Sequence, residues 1–157
     1  MKRALTIVGV FVLALAATTA VVAQSSPFDG TWKLNPAKSK YTTGAPPKEQ
    51  TAKITTIGDQ VQTEVTGTNA DGTPIQMKYV TPLKGGVGKV LSGGPYDGVT
   101  RKDINSTTRD VSYMQGGKEA LHITAVVSKD GKTLTITGKG TDAQGHSVSS
   151  VTVLDRQ

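Results

Sequence analysis

From Gln50 onward the chain alternates apolar and polar residues in short runs, and nearly every run ends in a two-residue turn. Val61, Thr63, Val65 and Gly67 alternate with Gln62, Glu64 and Thr66. Ile75, Met77 and Tyr79 alternate with Gln76 and Lys78, and Leu134 and Ile136 with Thr133, Thr135 and Thr137. Leu121, Ile123, Ala125 and Val127 keep the same rhythm, with Val126 as an apolar exception. A period of two built from β-branched residues is the signature of a strand with one buried face. Between the runs lie Gly58-Asp59, Asp71-Gly72, Asn105-Ser106, Gly116-Gly117, Asp130-Gly131 and Gln144-Gly145. Such pairs supply the positive φ angles of tight hairpins, so consecutive strands must be antiparallel neighbours.

The spacing predicts ten strands: 29–34, 49–57, 60–68, 73–81, 87–92, 98–104, 107–114, 118–128, 132–139 and 146–154. A meander of that length has two open edges unless it curls shut, and closure removes the edges and their tendency to aggregate. The expected fold is all-β, an up-and-down antiparallel barrel of about ten strands, with a two-sheet sandwich as the competitor. One long connection, Asn35 to Lys48, interrupts the series. Pro36 can open a short helical turn there, and Pro46-Pro47 imposes an extended approach to the second strand.

The opening residues are expected to be a secretory signal rather than part of the fold. Lys2 and Arg3 precede an apolar run from Ala4 through Ala17, and Val21-Val22-Ala23 offers small residues for cleavage before Gln24. The apolar run is shorter than the ~20 residues of a spanning helix. Removal of residues 1–23 leaves one domain, 24–157, with no membrane span, and an exported location, periplasmic or extracellular. With no Cys in the chain, that domain relies on its core and ladders rather than on disulfides.

Charge excludes some classes of partner. The 18 basic and 12 acidic residues give +6, which falls to +4 without Lys2 and Arg3. The lysines are spread along the strands and aromatics are only 4% of the chain, whereas single-strand nucleic-acid binders add stacking aromatics to a basic groove. The charge reads as solvation of outer strand faces with a weak attraction to anionic partners. The scarcity of aromatics also argues against an outer-membrane barrel, which needs aromatic girdles.

No reactive constellation emerges. His122 and His146 stand far apart on strands, where outward exposure is expected. No HExxH or Gly-x-Ser-x-Gly occurs. Gly85-Gly86-Val87-Gly88-Lys89 lacks the spacing of a phosphate loop and opens a strand, not a helix. No catalytic residue, metal site or cofactor is expected, and the chain is read as a non-enzyme.

The string Phe28-Asp29-Gly30-Thr31-Trp32-Lys33-Leu34 resembles the first strand of the calycins, the superfamily of lipocalins and fatty-acid-binding proteins. Continued through Asn35-Pro-Ala-Lys-Ser39-Lys-Tyr41, and with the hairpin Lys129 to Thr135, it is also similar to exported bacterial lipocalin-like proteins. The resemblance implies a calycin-like barrel whose Trp32 plugs one end, and an interior that takes a small, partly apolar or amphipathic ligand. Two family features are missing. The Asn35–Lys48 connection is too short and Pro-broken for a two-helix lid, and Val151-Thr152-Val153-Leu154 lacks the Arg-x-Tyr carboxylate clamp of the last strand. An alternative is an interaction or structural module whose barrel is filled by side chains.

If the interior is hollow, its polar anchors must come from few residues. Arg101 and Arg109 flank the Asn105-Ser106 turn. They either converge inside to bind a carboxylate or phosphate, or face water paired with Asp103 and Asp110, as strand arginines usually do. Tyr79 shares a face with Ile75 and Met77 and reads as core. Tyr96, in a glycine-rich loop, either closes over an opening or packs on the barrel wall. Tyr113 lines or rims the same space.

Overall fold

The computed structural model describes residues 26–42, 45–141 and 147–157. The expected signal segment 1–23, the Gln144-Gly145 turn and His146 lie outside the described residues. Eleven strands are present: β1 (Gly30–Leu34), β2 (Lys40–Tyr41), β3 (Glu49–Ile57), β4 (Gln60–Thr68), β5 (Pro74–Pro82), β6 (Gly86–Gly93), β7 (Gly98–Asn105), β8 (Thr108–Gln115), β9 (Lys118–Val127), β10 (Thr133–Thr141) and β11 (Ser147–Arg156). β3 to β11 form a continuous antiparallel meander, and β1 pairs with β3 on one side and β11 on the other. The sheet therefore closes into a ten-stranded up-and-down antiparallel barrel, and the sandwich is excluded.

The seam is short. Trp32 lies opposite Arg156 and Leu34 opposite Leu154 on one side, while Trp32 lies opposite Ala52 on the other. Asn35 then opens a single 3₁₀ turn, Pro36–Lys38, by accepting from the Lys38 amide (3.2 Å). After that turn the chain lays down β2, which the spacing did not predict. Two residues carry too little periodicity to be seen, and their pairing with Val151 and Ser150 is purely tertiary.

Alternation turns every second residue inward. Ala52 and Ile54, Val61 and Val65, Ala125 and Val127, Leu134 and Leu154 form one buried cluster with Phe28 and Trp32. Most of it fills the end of the barrel that carries residues 26–29, the β3–β4 turn and the C-terminal Arg156. We call this the closed end. Tyr79, Val99, Val111 and Tyr113 form a second cluster on the β5–β8 wall. That wall is the weakest part of the ladder. β6 pairs with β7 only over Gly86–Gly88, and its pairing with β5 is broken by a bulge at Lys78/Tyr79.

Candidate functional site

The β7–β8 hairpin decides where the two arginines go. Placing Asn105-Ser106 at its tip pairs residue 101 with 110, which puts Arg101 and Arg109 on opposite faces. The observed tip lies one residue later, and a bulge follows Asp103, so that Arg101 faces Val111 and Asp103 faces Arg109. A one-residue change of register exchanges the two faces of a strand. Both arginines now point into the barrel, 3% and 7% exposed. The expectation that they face water beside Asp103 and Asp110 is corrected accordingly. Asp103 serves both guanidiniums, at 3.1 Å from Arg101 and 3.6 Å from Arg109. Asp110 stays on the outer face, where it accepts from the Thr124 hydroxyl (2.8 Å).

The two cations are unequally satisfied. Arg101 donates through Nη1 to Thr81 Oγ1 (3.1 Å) and through Nη2 to the Leu83 carbonyl (2.6 Å) and Asp103. Arg109 donates through Nη2 to Ser26 Oγ at 3.4 Å, and its guanidinium lies 3.4 Å over the Phe28 ring, a cation–π contact. Among the described residues neither Nε has a hydrogen-bond partner. A guanidinium carries five N–H donors, and a buried donor left idle costs free energy. Two buried positive charges thus share one carboxylate. Burial, and secondarily the charge of Arg101, pushes Arg109 from the usual arginine range down to about 10, with Asp103 opposing the shift.

The tyrosines form a chain beside this pair. Tyr96, on the Gly93–Gly98 loop, stacks on Tyr113 with centroids 5.0 Å apart and an interplanar angle of 30°. Tyr113 meets Tyr79 edge to face, and its hydroxyl donates to that of Tyr79 (3.0 Å). Burial raises the titration of both Tyr113 and Tyr96, so they remain phenols at physiological pH. Tyr96 packs on the wall. Tyr79 and Tyr113 face a cavity of about 200 Å³, and Tyr96 does not line it.

Arg101, Arg109 and Thr81 make the polar end of that cavity, and Met77, Leu121, Ile123, Ala125 and Ile136 its apolar walls. Gln50, Gly138 and Ser150 line it at the opposite end of the barrel. Trp32 is fully buried but does not line it; the indole donates to the Phe28 carbonyl (2.8 Å) and lies under the Arg156 guanidinium (4.0 Å). Phe28, Asp103 and Thr81 were not expected in this site. Phe28 stands in the first-strand motif, but only closure of the barrel sets it against Arg109.

Asp103 is the single counterion of two buried charges. Asp103→Asn is expected to lower stability by about 2 kcal/mol, less than a fully buried carboxylate would cost because its side chain is 38% exposed. Urea unfolding measures this, and a loss under about 0.5 kcal/mol would show that the arginines do not depend on Asp103.

His122 lies on the outer face, as expected. Its Nδ1 is 3.1 Å from Ser112 Oγ, and Asp110 and Glu119 approach its ring at 3.8 and 3.6 Å. The trio sits on the outside of a sheet whose neighbouring backbone amides belong to ladders, and it does not face the cavity. No cluster of three or more potential metal ligands occurs among the described residues, and no helix among them is long and apolar enough to cross a membrane.

No protein-family model matches the chain, and no curated protein does. Among solved structures it is similar to a zebrafish ileal bile acid-binding protein complexed with cholic acid, at 15% identity and a TM-score of 0.47, covering 84% of this chain and 100% of that one. It is also similar to lobster apocrustacyanin A1 (12% identity, TM-score 0.43, 83% of this chain and 61% of that one). A third is EF1p2_mFAP2b bound to DFHBI (13%, TM-score 0.42, 83% and 94%).

Proposed function

We propose that the barrel is a binder of one small, partly apolar molecule bearing an acidic group. The observation that carries this reading is the pair of buried arginines, sharing one carboxylate, at one end of a mostly apolar cavity. A carboxylate supplies the second negative charge the pair lacks, and charge-assisted hydrogen bonds are the strong ones. Tyr79, whose hydroxyl already accepts from Tyr113, has its own proton to give. Size narrows the class. Pockets for drug-sized ligands run from roughly 300 to 1,000 Å³, whereas roughly 150 Å³ suffices for benzene. About 200 Å³ suits a short-chain or single-ring acid. The cavity also tells against a barrel filled wholly by its own side chains.

We read the chain as a carrier rather than a catalyst, and as exported after loss of residues 1–23. Supporting the export reading are Lys2-Arg3 and the apolar run that follows them. The mass of the protein recovered outside the cytoplasm tests the cleavage.

Calorimetric titration with octanoate and with octanol tests the cavity. Octanoate is expected to bind at least about tenfold more tightly than octanol. Gly138 faces the cavity, where a Cβ would stand 3.1 Å from Ser150 Oγ. Gly138→Val should therefore weaken both ligands without touching the arginines. Equal affinity for the two would remove the acid group from the reading. Failure of both to bind, with Gly138→Val silent, would remove the ligand.

A further inference from the structure

Five of the large apolar side chains that the barrel exposes lie on one shoulder. Val87 is 78% exposed, and Leu91, Leu83, Ile104 and Ile57 are exposed as well. Strand pairing puts them together. Val87 lies opposite Thr100, two residues along the outer face of β7 from Lys102 and four from Ile104. The Leu83 turn is tied to the β3–β4 turn, since the Leu83 amide donates to the Asp59 carbonyl (2.6 Å). Ile57 and Pro82 both lie opposite Gln60. The sixth exposed apolar residue, Val126 on β9, lies opposite Thr108, which lies opposite Asn105, so it adjoins Ile104 and extends the patch.

Three lysines stand among them: Lys84 in the turn, Lys89 opposite Val80 and Lys102 opposite Asp110. None forms an ion pair among the described residues. Lys53 and Lys78, further along the same face, are like Lys102 each opposite an acid, Glu64, which leaves Lys84 and Lys89 without one across the strand. An exposed apolar patch of this kind marks an interaction surface. Its composition selects the partner. Protein interfaces favour Tyr, Trp, Phe and Arg in pockets and are depleted in Lys, and none of those four points outward here. A second copy seated by two-fold symmetry would bring lysines against lysines. A fluid, negatively charged surface needs no matching shape. It takes aliphatic side chains into its boundary while lysines pair with head groups.

We propose that the β6 shoulder, with the adjoining turns at the closed end, is a docking surface for an anionic lipid bilayer. The barrel lies on that surface without spanning it. This is independent of what the cavity holds, because the shoulder residues point away from it.

Co-sedimentation with vesicles tests the proposal. The protein should bind vesicles of phosphatidylcholine mixed with phosphatidylglycerol at least about tenfold more strongly than vesicles of phosphatidylcholine alone, and lose that margin as salt rises. Val87→Asp combined with Ile104→Asp, and separately Lys84→Glu combined with Lys89→Glu, should each abolish sedimentation. Lys139→Glu, on β10 and four strands away from β6, should leave it unchanged. Far-UV spectra and octanoate titration of the same variants show that barrel and cavity persist. Failure to bind mixed vesicles would overturn the proposal, as would binding indifferent to lipid charge or equal sensitivity to Lys139→Glu. Concentration-dependent self-association that Val87→Asp abolishes, without vesicle binding, would assign the shoulder to a second copy instead.

Discussion

Arg109→Met should make the barrel more stable and weaken its binding of octanoate. The charge on Arg109 is held against burial and against Arg101, with only a shared carboxylate and one long hydrogen bond in return. Methionine fills similar space without charge, and replacing buried ionic groups by apolar ones of similar volume is often neutral or stabilising. The lost cation–π contact with Phe28 offsets part of this. A net gain of about 1–2 kcal/mol is expected, read as a higher urea midpoint at unchanged slope. Octanoate affinity should fall by about a hundredfold, because a buried carboxylate would then lack its freest donor. The pH dependence has a definite sign. A cation whose titration is lowered on folding weakens the folded state wherever both states are protonated, below about 10. Stability recovers as pH rises above about 10, where only the unfolded state still holds the proton. The advantage of Arg109→Met over the unaltered protein should therefore shrink between about pH 9 and pH 11. A variant that is less stable yet binds octanoate normally would show that Arg109 is a structural residue with no part in ligand recognition.

Trp32→Ala is expected to cost about 3–5 kcal/mol, the range for truncating a large buried aromatic. The ring is fully buried between β3 and β11, and three further consequences follow its loss. The Phe28 carbonyl loses its donor. Arg156 loses the face it covers. The hydrogen bonds of Arg156 to the carbonyls of Pro27, Asp29 and Gly131, each 2.6 Å, then have no platform beneath them. In thermal unfolding the loss corresponds to roughly 10–20 °C for a domain of this size. Trp32→Phe retains most of the volume but strands the carbonyl, and about 1–3 kcal/mol is expected. A loss below about 1 kcal/mol for Trp32→Ala would mean that this end of the barrel is sealed by something other than the indole.

The strands were legible because period-two alternation and glycine-bearing turns are local signals. The boundaries of β3 and β4 follow from them to the residue, since Gly58-Asp59 allows one hairpin register. Closure was inferred from the cost of open edges, and it rests on pairing between Trp32 and Arg156, far apart in sequence. The site was less legible for a related reason. Whether Arg101 and Arg109 share a face depends on a single residue of register in the β7–β8 hairpin. The bulge after Asp103, which no alternation announces, decides it. The chemistry of the pair was readable as a possibility, its orientation was not, and the part played by Phe28 is purely tertiary. The Asp71-Gly72 turn closes locally: Asp71 accepts from the Thr73 amide (2.9 Å), with Gly72 at φ 91°.

The seam has a temporal consequence. The first strand of the barrel has one of its two partners immediately downstream and the other in the last strand, more than a hundred residues later. Until residues 154–156 have emerged, β1 is a ribbon with a bare edge, the indole lacks its guanidinium roof, and the hollow has no wall on that side. A chain that grows or crosses a pore from its amino end must therefore finish folding after delivery is complete, which is the order of events that secretion in an unfolded state requires.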